Sequence, residues 1–126
     1  KEAEYYAKVR GHRNIVNMYK FSPPNRLYME FCDTGNILQL VNRYNTAKRP
    51  IPELFIWHVA EALMRALCYL HHGIQDFEKD PKLCPDWEPL IHCDVTTHNV
   101  LLTKSPGDLY PRVLLADFGC AKFKKE

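Results

Sequence analysis

Two stretches decide how this 126-residue chain reads: Ile91-His92-Cys93-Asp94-Val95-Thr96-Thr97-His98-Asn99-Val100-Leu101-Leu102 and Leu114-Leu115-Ala116-Asp117-Phe118-Gly119. Each sets a short apolar run against a polar cluster. The runs Val100–Leu102 and Val113–Ala116 read as strands, and the loop between them, Lys104–Pro111, contains Ser105-Pro106-Gly107-Asp108, a turn signal. The pair therefore reads as a hairpin. Asp94, the Asn99 amide five residues on, and Asp117 just after the second strand form a set of hard oxygen donors. Such a set suits Mg²⁺, which takes one or two carboxylates together with substrate phosphates. A carboxylate left over can accept a hydroxyl proton or orient a nucleophile. Gly119 supplies the backbone freedom that a ligand-presenting turn needs.

Upstream of these stretches the clearest element is a helix over residues 52–71. Phe55, Val59, Ala62, Leu63, Ala66, Leu67 and Leu70 recur at the spacing of one helical face. Pro52 occupies a first-turn position and Gly73 ends the run. Ile56, Trp57, Ala60 and Tyr69 widen the stripe, which predicts a central helix buried on most sides. A broken helical pattern covers residues 1–10 and stops at Gly11. Ile15–Tyr19 and Arg26–Phe31 read as an antiparallel strand pair joined at Pro23-Pro24-Asn25. Asp33-Thr34-Gly35 breaks the second strand, and a short helix follows over residues 36–45. The stretch from Ile74 to Pro89, polar and rich in proline, reads as a surface insertion.

With 46% hydrophobic and 25% charged residues, the composition excludes disordered and collagen-like chains. Seventeen basic and 15 acidic residues are spread along the chain, and only Lys122, Lys124 and Lys125 cluster, so no nucleic-acid stripe is present. No apolar run approaches the ~18 residues of a membrane span, and no signal-peptide core is visible near Lys1. The expectation is a cytoplasmic location, with the nucleus as a second compartment, and no partnership with nucleic acid or membrane. The five cysteines, Cys32, Cys68, Cys84, Cys93 and Cys120, are odd in number, widely spaced and without a CxxC pair. They read as reduced thiols rather than as a disulfide framework or a zinc cage built with His71, His72 and His92. Cys93 and Cys120 flank the polar clusters and are candidates for redox sensitivity.

The residues 91–102 and 114–119 resemble the catalytic-loop signature HRDxxxxN and the DFG motif of protein kinases. Other stretches agree with that family in order. Gly11-His12-Arg13-Asn14-Ile15-Val16 is similar to the segment after helix αC, with Glu2 where the family places the αC glutamate. Leu27–Gly35 resembles the strand and hinge that hold adenine, with Met29 as gatekeeper. The resemblance implies an α+β, kinase-like fragment: part of a small antiparallel-sheet N-lobe (1–31), a hinge (32–36) and the start of a helical C-lobe (37–126). It implies ATP and Mg²⁺ as cofactors and a protein substrate of the serine/threonine class, and leaves the oligomeric state open. Asp94 corresponds to the catalytic base, and Asn99 and Asp117 to the Mg²⁺ ligands. The backbone of Glu30 and Cys32 would face adenine, Asn36 the ribose, and Leu101 and Ala116 would line the nucleotide pocket. Asn36 alternatively caps the helix that follows it.

Three departures qualify the carry-over. Cys93 stands where the family has the arginine of its HRD triplet, which removes the usual clasp on a phosphorylated activation loop. Thr96 replaces a lysine that touches the γ-phosphate, and a lost preorganised partner of this kind costs ~10²-fold or more in rate. Glu2 finds no lysine at the matching place, and no glycine-rich loop, long activation loop or APE segment is present. The segment on its own is therefore expected to be inactive. Two other readings compete: a small-molecule phosphotransferase of the aminoglycoside or choline kinase type, which shares HxDxxxxN and a later Asp, and a pseudokinase serving as a binding or scaffold module.

Overall fold

In the computed structural model, which describes residues 1–125, three helices and six short strands are arranged around one main core. Helix α1 (Glu2–Lys8) opens it, followed by β1 (Met18–Ser22), β2 (Arg26–Met29), α2 (Ile37–Thr46) and α3 (Glu53–His72). Short β3 (Leu90–Ile91) precedes the hairpin β4 (Val100–Thr103) and β5 (Arg112–Leu115), and β6 (Lys122–Phe123) comes last. The strands form three separate antiparallel pairs, β1·β2, β3·β6 and β4·β5. This is the α+β arrangement expected from the sequence.

The β4·β5 hairpin is the platform of the molecule. Val100 faces Leu115 and Leu102 faces Val113, and Leu102, Leu114 and Leu115 are fully buried. Burial of each such side chain stabilises the fold by about 1.5–3 kcal/mol. Helix α3 lies against β5, contributing Ala62, Ala66 and Leu70, while α1 contributes Tyr5 and Tyr6 and its C-cap residue Val9 packs beside them. Gly73 ends α3 in the left-handed conformation, and its N–H donates to the Tyr69 carbonyl. A Cβ at Gly73 would come within 2.6 Å of the Trp87 ring, so both backbone and packing require glycine there.

Several elements differ from the sequence reading. Residues 15–17 are not strand. Ile15 instead makes a parallel bridge to Leu115, and Val16 N–H donates to the Leu115 carbonyl, whose own N–H returns to Asn14. The expected strand pair is present but shifted, with β1 running from Met18 through Ser22 and β2 ending at Met29. Helix α3 is buried on one face only: Ile56 and Trp57, assigned to the buried stripe, are 54% and 65% exposed, and Leu54 and Met64 also face outward. Widening the apolar stripe beyond one face does not create a second packing partner for it. The 74–89 stretch carries no helix or strand, as expected of a surface insertion, yet it is anchored. Trp87 Nε1 donates to the Leu70 carbonyl, and Lys8 lies over the Trp87 ring.

Candidate active site

Asp94 and Asn99 meet directly. The Asn99 Nδ2 donates both to the Asp94 carbonyl (3.0 Å) and to Asp94 Oδ2 (2.9 Å). Because the amide nitrogen serves Asp94, the Asn99 oxygen is the atom left for another ligand. Asn99 is also tied to the second cluster, since its carbonyl accepts the Ala116 N–H at 2.8 Å, one residue before Asp117. The hairpin register, Val100 opposite Leu115, sets this juxtaposition.

His92 links the two clusters from below. It is 1% exposed, its Nδ1 accepts the Asp94 N–H, and its Nε2 lies 2.8 Å from the Ala116 carbonyl. Acceptance at Nδ1 assigns the proton to Nε2, so the neutral ring bridges the backbones of both polar clusters. The role of His92 is thus structural. Phe118 packs edge-on against His92 and Tyr6, with ring centroids 4.8 Å and 4.9 Å away.

Asp117 takes a left-handed backbone, φ +59°, and so does Cys93, φ +66°. A non-glycine residue held there stores of order 1–3 kcal/mol of strain, which persists where the surroundings over-determine it. The surroundings of Asp117 do so: its N–H donates to the Tyr6 hydroxyl, and its Oδ1 accepts the Gly119 N–H at 3.0 Å. A Cβ at position 119 would press on that carboxylate oxygen at the same 3.0 Å. Burial pushes the Tyr6 hydroxyl up to about 12, against the lowering effect of the Asp117 N–H it accepts, and the nearby Glu2 charge adds to the rise.

A cavity of about 430 Å³ is walled by Glu2, Met29, Glu30, Leu101, Ala116 and Asp117, together with Tyr6, Val16 and Leu27. Six of the ten residues singled out in the sequence thus surround one space. Asp94 and Asn99 are joined to its wall through Ala116, while Cys32 and Asn36 stand off it. Cys32 is half-buried, and burial, reinforced by the Glu30 charge, raises its thiol to about 11. Asn36 caps α2 in a reciprocal capping box with Gln39 and bridges to Leu101. Its oxygen is committed to that cap.

Glu30 does more than its assigned backbone role. Its carboxylate accepts the Asn17 N–H and pairs with Arg112 on β5, and its own N–H donates to the Asn17 carbonyl. The Glu30 carbonyl and the Cys32 N–H have no partner among the described residues, which leaves one acceptor on a residue of the cavity wall and one donor two residues beyond it. Beyond Cys32 the chain is pinned to β4: Thr34 N–H donates to the Leu102 carbonyl, and Leu102 N–H to that of Gly35.

Sequence reasoning missed Tyr6 and Arg112. Tyr6 was legible as the residue one helical turn after Glu2, on the same face. Arg112 carried no local signal, since its partner lies 82 positions away. A larger cavity, about 720 Å³, opens between α3, the 11–14 turn and the 75–79 and 108–110 loops. Its charged groups serve one another, Arg65 with Glu61, Asp76 and Glu78 and Arg13 with Asp108, and none of the ten residues lines it. Among the described residues no cluster of three or more His, Cys, Asp or Glu side chains could hold a metal by itself. Among the described residues no helix is long and apolar enough to cross a membrane.

Comparison with known proteins shows the family of the chain. The chain is 32% identical over 127 residues to Misshapen-like kinase 1 of Rattus norvegicus, covering 94% of this chain and 8% of that protein. It is 30% identical over 122 residues to the membrane-associated tyrosine- and threonine-specific cdc2-inhibitory kinase wee-1.3 of Caenorhabditis elegans, covering 94% of this chain and 14% of the relative. The probable serine/threonine-protein kinase nek2 of Dictyostelium discoideum is 28% identical over 120 residues, 91% of this chain and 25% of its own length. The chain therefore spans a quarter or less of each of these relatives. The family model described as "Protein kinase domain" matches residues 1–126, and the chain belongs to that family.

Proposed function

We propose that this chain is the nucleotide-binding and catalytic-loop portion of a serine/threonine protein kinase, which transfers the γ-phosphoryl of ATP to a protein hydroxyl. The observation that carries the reading is the joining of Asp94, Asn99 and Asp117 through Asn99: side chain to side chain on one side, backbone to Ala116 on the other. The donor set fits Mg²⁺. The Asn99 amide oxygen and the Asp117 carboxylate are hard ligands, and the Asp117 carboxylate is aimed by Gly119. Bound there, the ion would neutralise charge on the transferring phosphates.

The chain's own residues have separate tasks. The Glu30 carbonyl and the Cys32 N–H offer adenine an acceptor and a donor, while Met29, Leu101 and Ala116 supply apolar walls. Asp94, held by Asn99 and by His92 through its N–H, accepts the hydroxyl proton of the protein substrate as the new phosphate ester forms. Asn36 serves as a cap, with at most its amide nitrogen available to a sugar. The form of the loop at 92–99, which lacks the tyrosine-kinase pattern, supports the serine/threonine class, and so does the name of the Dictyostelium relative.

The test is transfer of labelled phosphate from ATP to protein acceptors by the full-length protein. Incorporation on serine or threonine, cut ~10²-fold or more by Asp94→Asn, is the expected result. Nucleotide binding without transfer to any protein would instead favour the scaffold reading that the Cys93 and Thr96 departures suggest. Transfer to amino-alcohol or sugar acceptors in preference to protein would overturn the substrate class.

A further inference from the structure

We propose that Ser105 is a phosphorylation site for a proline-directed protein kinase, and that Arg13 receives the phosphate. The chain has two serines, Ser22 and Ser105, and each precedes a proline. They are presented differently. Ser22 is the last residue of β1 and pairs with Arg26 across the β1·β2 ladder. Ser105 lies beyond the end of β4, in the loop that closes the buried hairpin. Pro106 and Gly107 take the central positions of a tight turn there, and the Asp108 N–H closes it on the Ser105 carbonyl at 3.0 Å. Gly107 has φ +88°, the value that the second central residue of a type II turn needs. Pro106, Gly107, Asp108 and Leu109 are all exposed. Among the described residues, the turn bond is the one backbone–backbone hydrogen bond made within 105–110, so breaking it frees the segment to extend into another enzyme's cleft.

The side chains around Ser105 suit a phosphate. Ser105 Oγ donates to Asp108 Oδ2, and Arg13 Nη2 lies 3.5 Å from the same oxygen. Serine and arginine meet on one atom, so a phosphate on Ser105 comes within reach of the guanidinium. Such a group carries a charge of about −1.5 to −2. It repels the Asp108 carboxylate and offers Arg13 a bidentate partner in its place. The Arg13 side chain is 67% exposed, and Asp108 is its one ion-pair partner among the described residues. Arg65, on the wall of the same larger cavity, is by contrast committed to Glu61, Asp76 and Glu78. The Arg13 backbone is held in place, since its carbonyl accepts Arg112 Nη1 at 2.9 Å and Arg112 pairs with Glu30 on the wall of the smaller cavity. Phosphorylation therefore exchanges Asp108 for phosphoserine on Arg13 and docks the 104–111 loop on the 11–14 turn.

The modifying enzyme reads Ser-Pro through the missing N–H and fixed φ of the residue after the acceptor, which also holds the serine itself extended. Ser105 Oγ attacks the γ-phosphorus of ATP held by that enzyme. The Oγ–P bond forms as the bond from phosphorus to the β,γ-bridging oxygen breaks. ADP leaves, and the hydroxyl proton passes to the enzyme's carboxylate base.

The experiment treats the full-length Asp94→Asn variant with Mg·ATP and, in separate reactions, a mitogen-activated and a cyclin-dependent protein kinase, both selective for Ser-Pro. The substitution keeps the chain's own transfer out of the measurement. Phosphopeptide mapping should place the label on Ser105, and Pro106→Ala should cut it about tenfold or more. Phosphorus NMR of the product at low salt then follows the second ionisation of the phosphoserine, assigned by its loss in Ser105→Ala. Arg13→Gln should raise that pKa by about 0.5 unit, and Asp108→Asn should lower it by a similar amount. No label at Ser105 with either enzyme, or label at Ser22 in its place, would overturn the site. A phosphoserine whose ionisation is the same with and without the Arg13 guanidinium would overturn the pairing.

Discussion

The molecule contains two antiparallel hairpins of similar length that do opposite jobs. In β4·β5, alternate and adjacent side chains alike are buried, because the 14–16 segment bridges its edge and α3 packs on β5. In β1·β2, Tyr19, Phe21 and Tyr28 are largely exposed, and the hairpin is secured at its base by Glu30 through Asn17 and Arg112. The Asn99 amide and the Asp117 carboxylate sit at the ends of the buried hairpin, with Asp94 held to Asn99, while the unpaired Glu30 carbonyl and Cys32 N–H follow the open one. Groups that must hold a charge cluster to a fraction of an ångström stand on the over-determined platform.

Substitutions in the two hairpins should separate by size of effect. Phe118→Ala, which removes a fully buried ring from between Tyr6 and His92, should destabilise by about 3–5 kcal/mol, read by urea unfolding. Phe21→Ala in the open hairpin should stay within about 0.5 kcal/mol, as at an ordinary surface position. Equal losses would erase the distinction. Glu30→Ala frees Arg112 and the Asn17 N–H together and should cost about 1.5–3 kcal/mol, with weaker nucleotide binding and unchanged packing around Phe118. Asn36→Ala removes the capping box where the chain leaves the open hairpin. It should cost about 1 kcal/mol, and Asn36→Ser should recover most of it.

The gentlest probe is pH. His12, at the turn that feeds the 14–16 segment, is 4% exposed, stacks on Tyr69 and accepts the Asn14 N–H at Nδ1. Burial, aided by the Arg65 charge, lowers its affinity for a proton below the usual imidazole value, against an opposing hydrogen bond with the Gln75 backbone. The unfolded chain therefore binds the proton more readily. The contribution to stability is complete above ~6.5 and is lost as pH falls through the folded value. Urea midpoints should decline on acidification below that point, and His12→Gln should flatten the decline. An unchanged slope in the variant would move its cause elsewhere.

The buried hairpin was the legible half of this molecule. Its apolar runs, its turn and the polar clusters at their ends follow from local pattern, and the register then forces Asn99 against Ala116. Helix α3 was legible in extent but not in burial, because periodicity reports which face is apolar and not what covers it. The strand expected over 15–19 was misplaced for a related reason. Ile15 and Val16 are apolar because they pair with β5, a partner about one hundred residues away that local pattern does not reveal. Arg112 and its grip on Glu30 were invisible on the same ground. Asn36 carried two readings, and its oxygen went to the cap because the Gln39 N–H, three residues on, is held in place by the helix itself.

The central claim is that Asn99 and Asp117 gather about one divalent ion beside the nucleotide cavity, with Asp94 at its edge. Amide line-broadening by Mn²⁺, substituted for Mg²⁺ in the presence of ATP, locates that ion directly in the isotope-labelled full-length protein. The account predicts that broadening centres on residues 98–100 and 116–119, and that Asp117→Asn abolishes it there. Broadening centred on the acidic residues near Arg65, or undiminished at 98–100 and 116–119 in the variant, would contradict it.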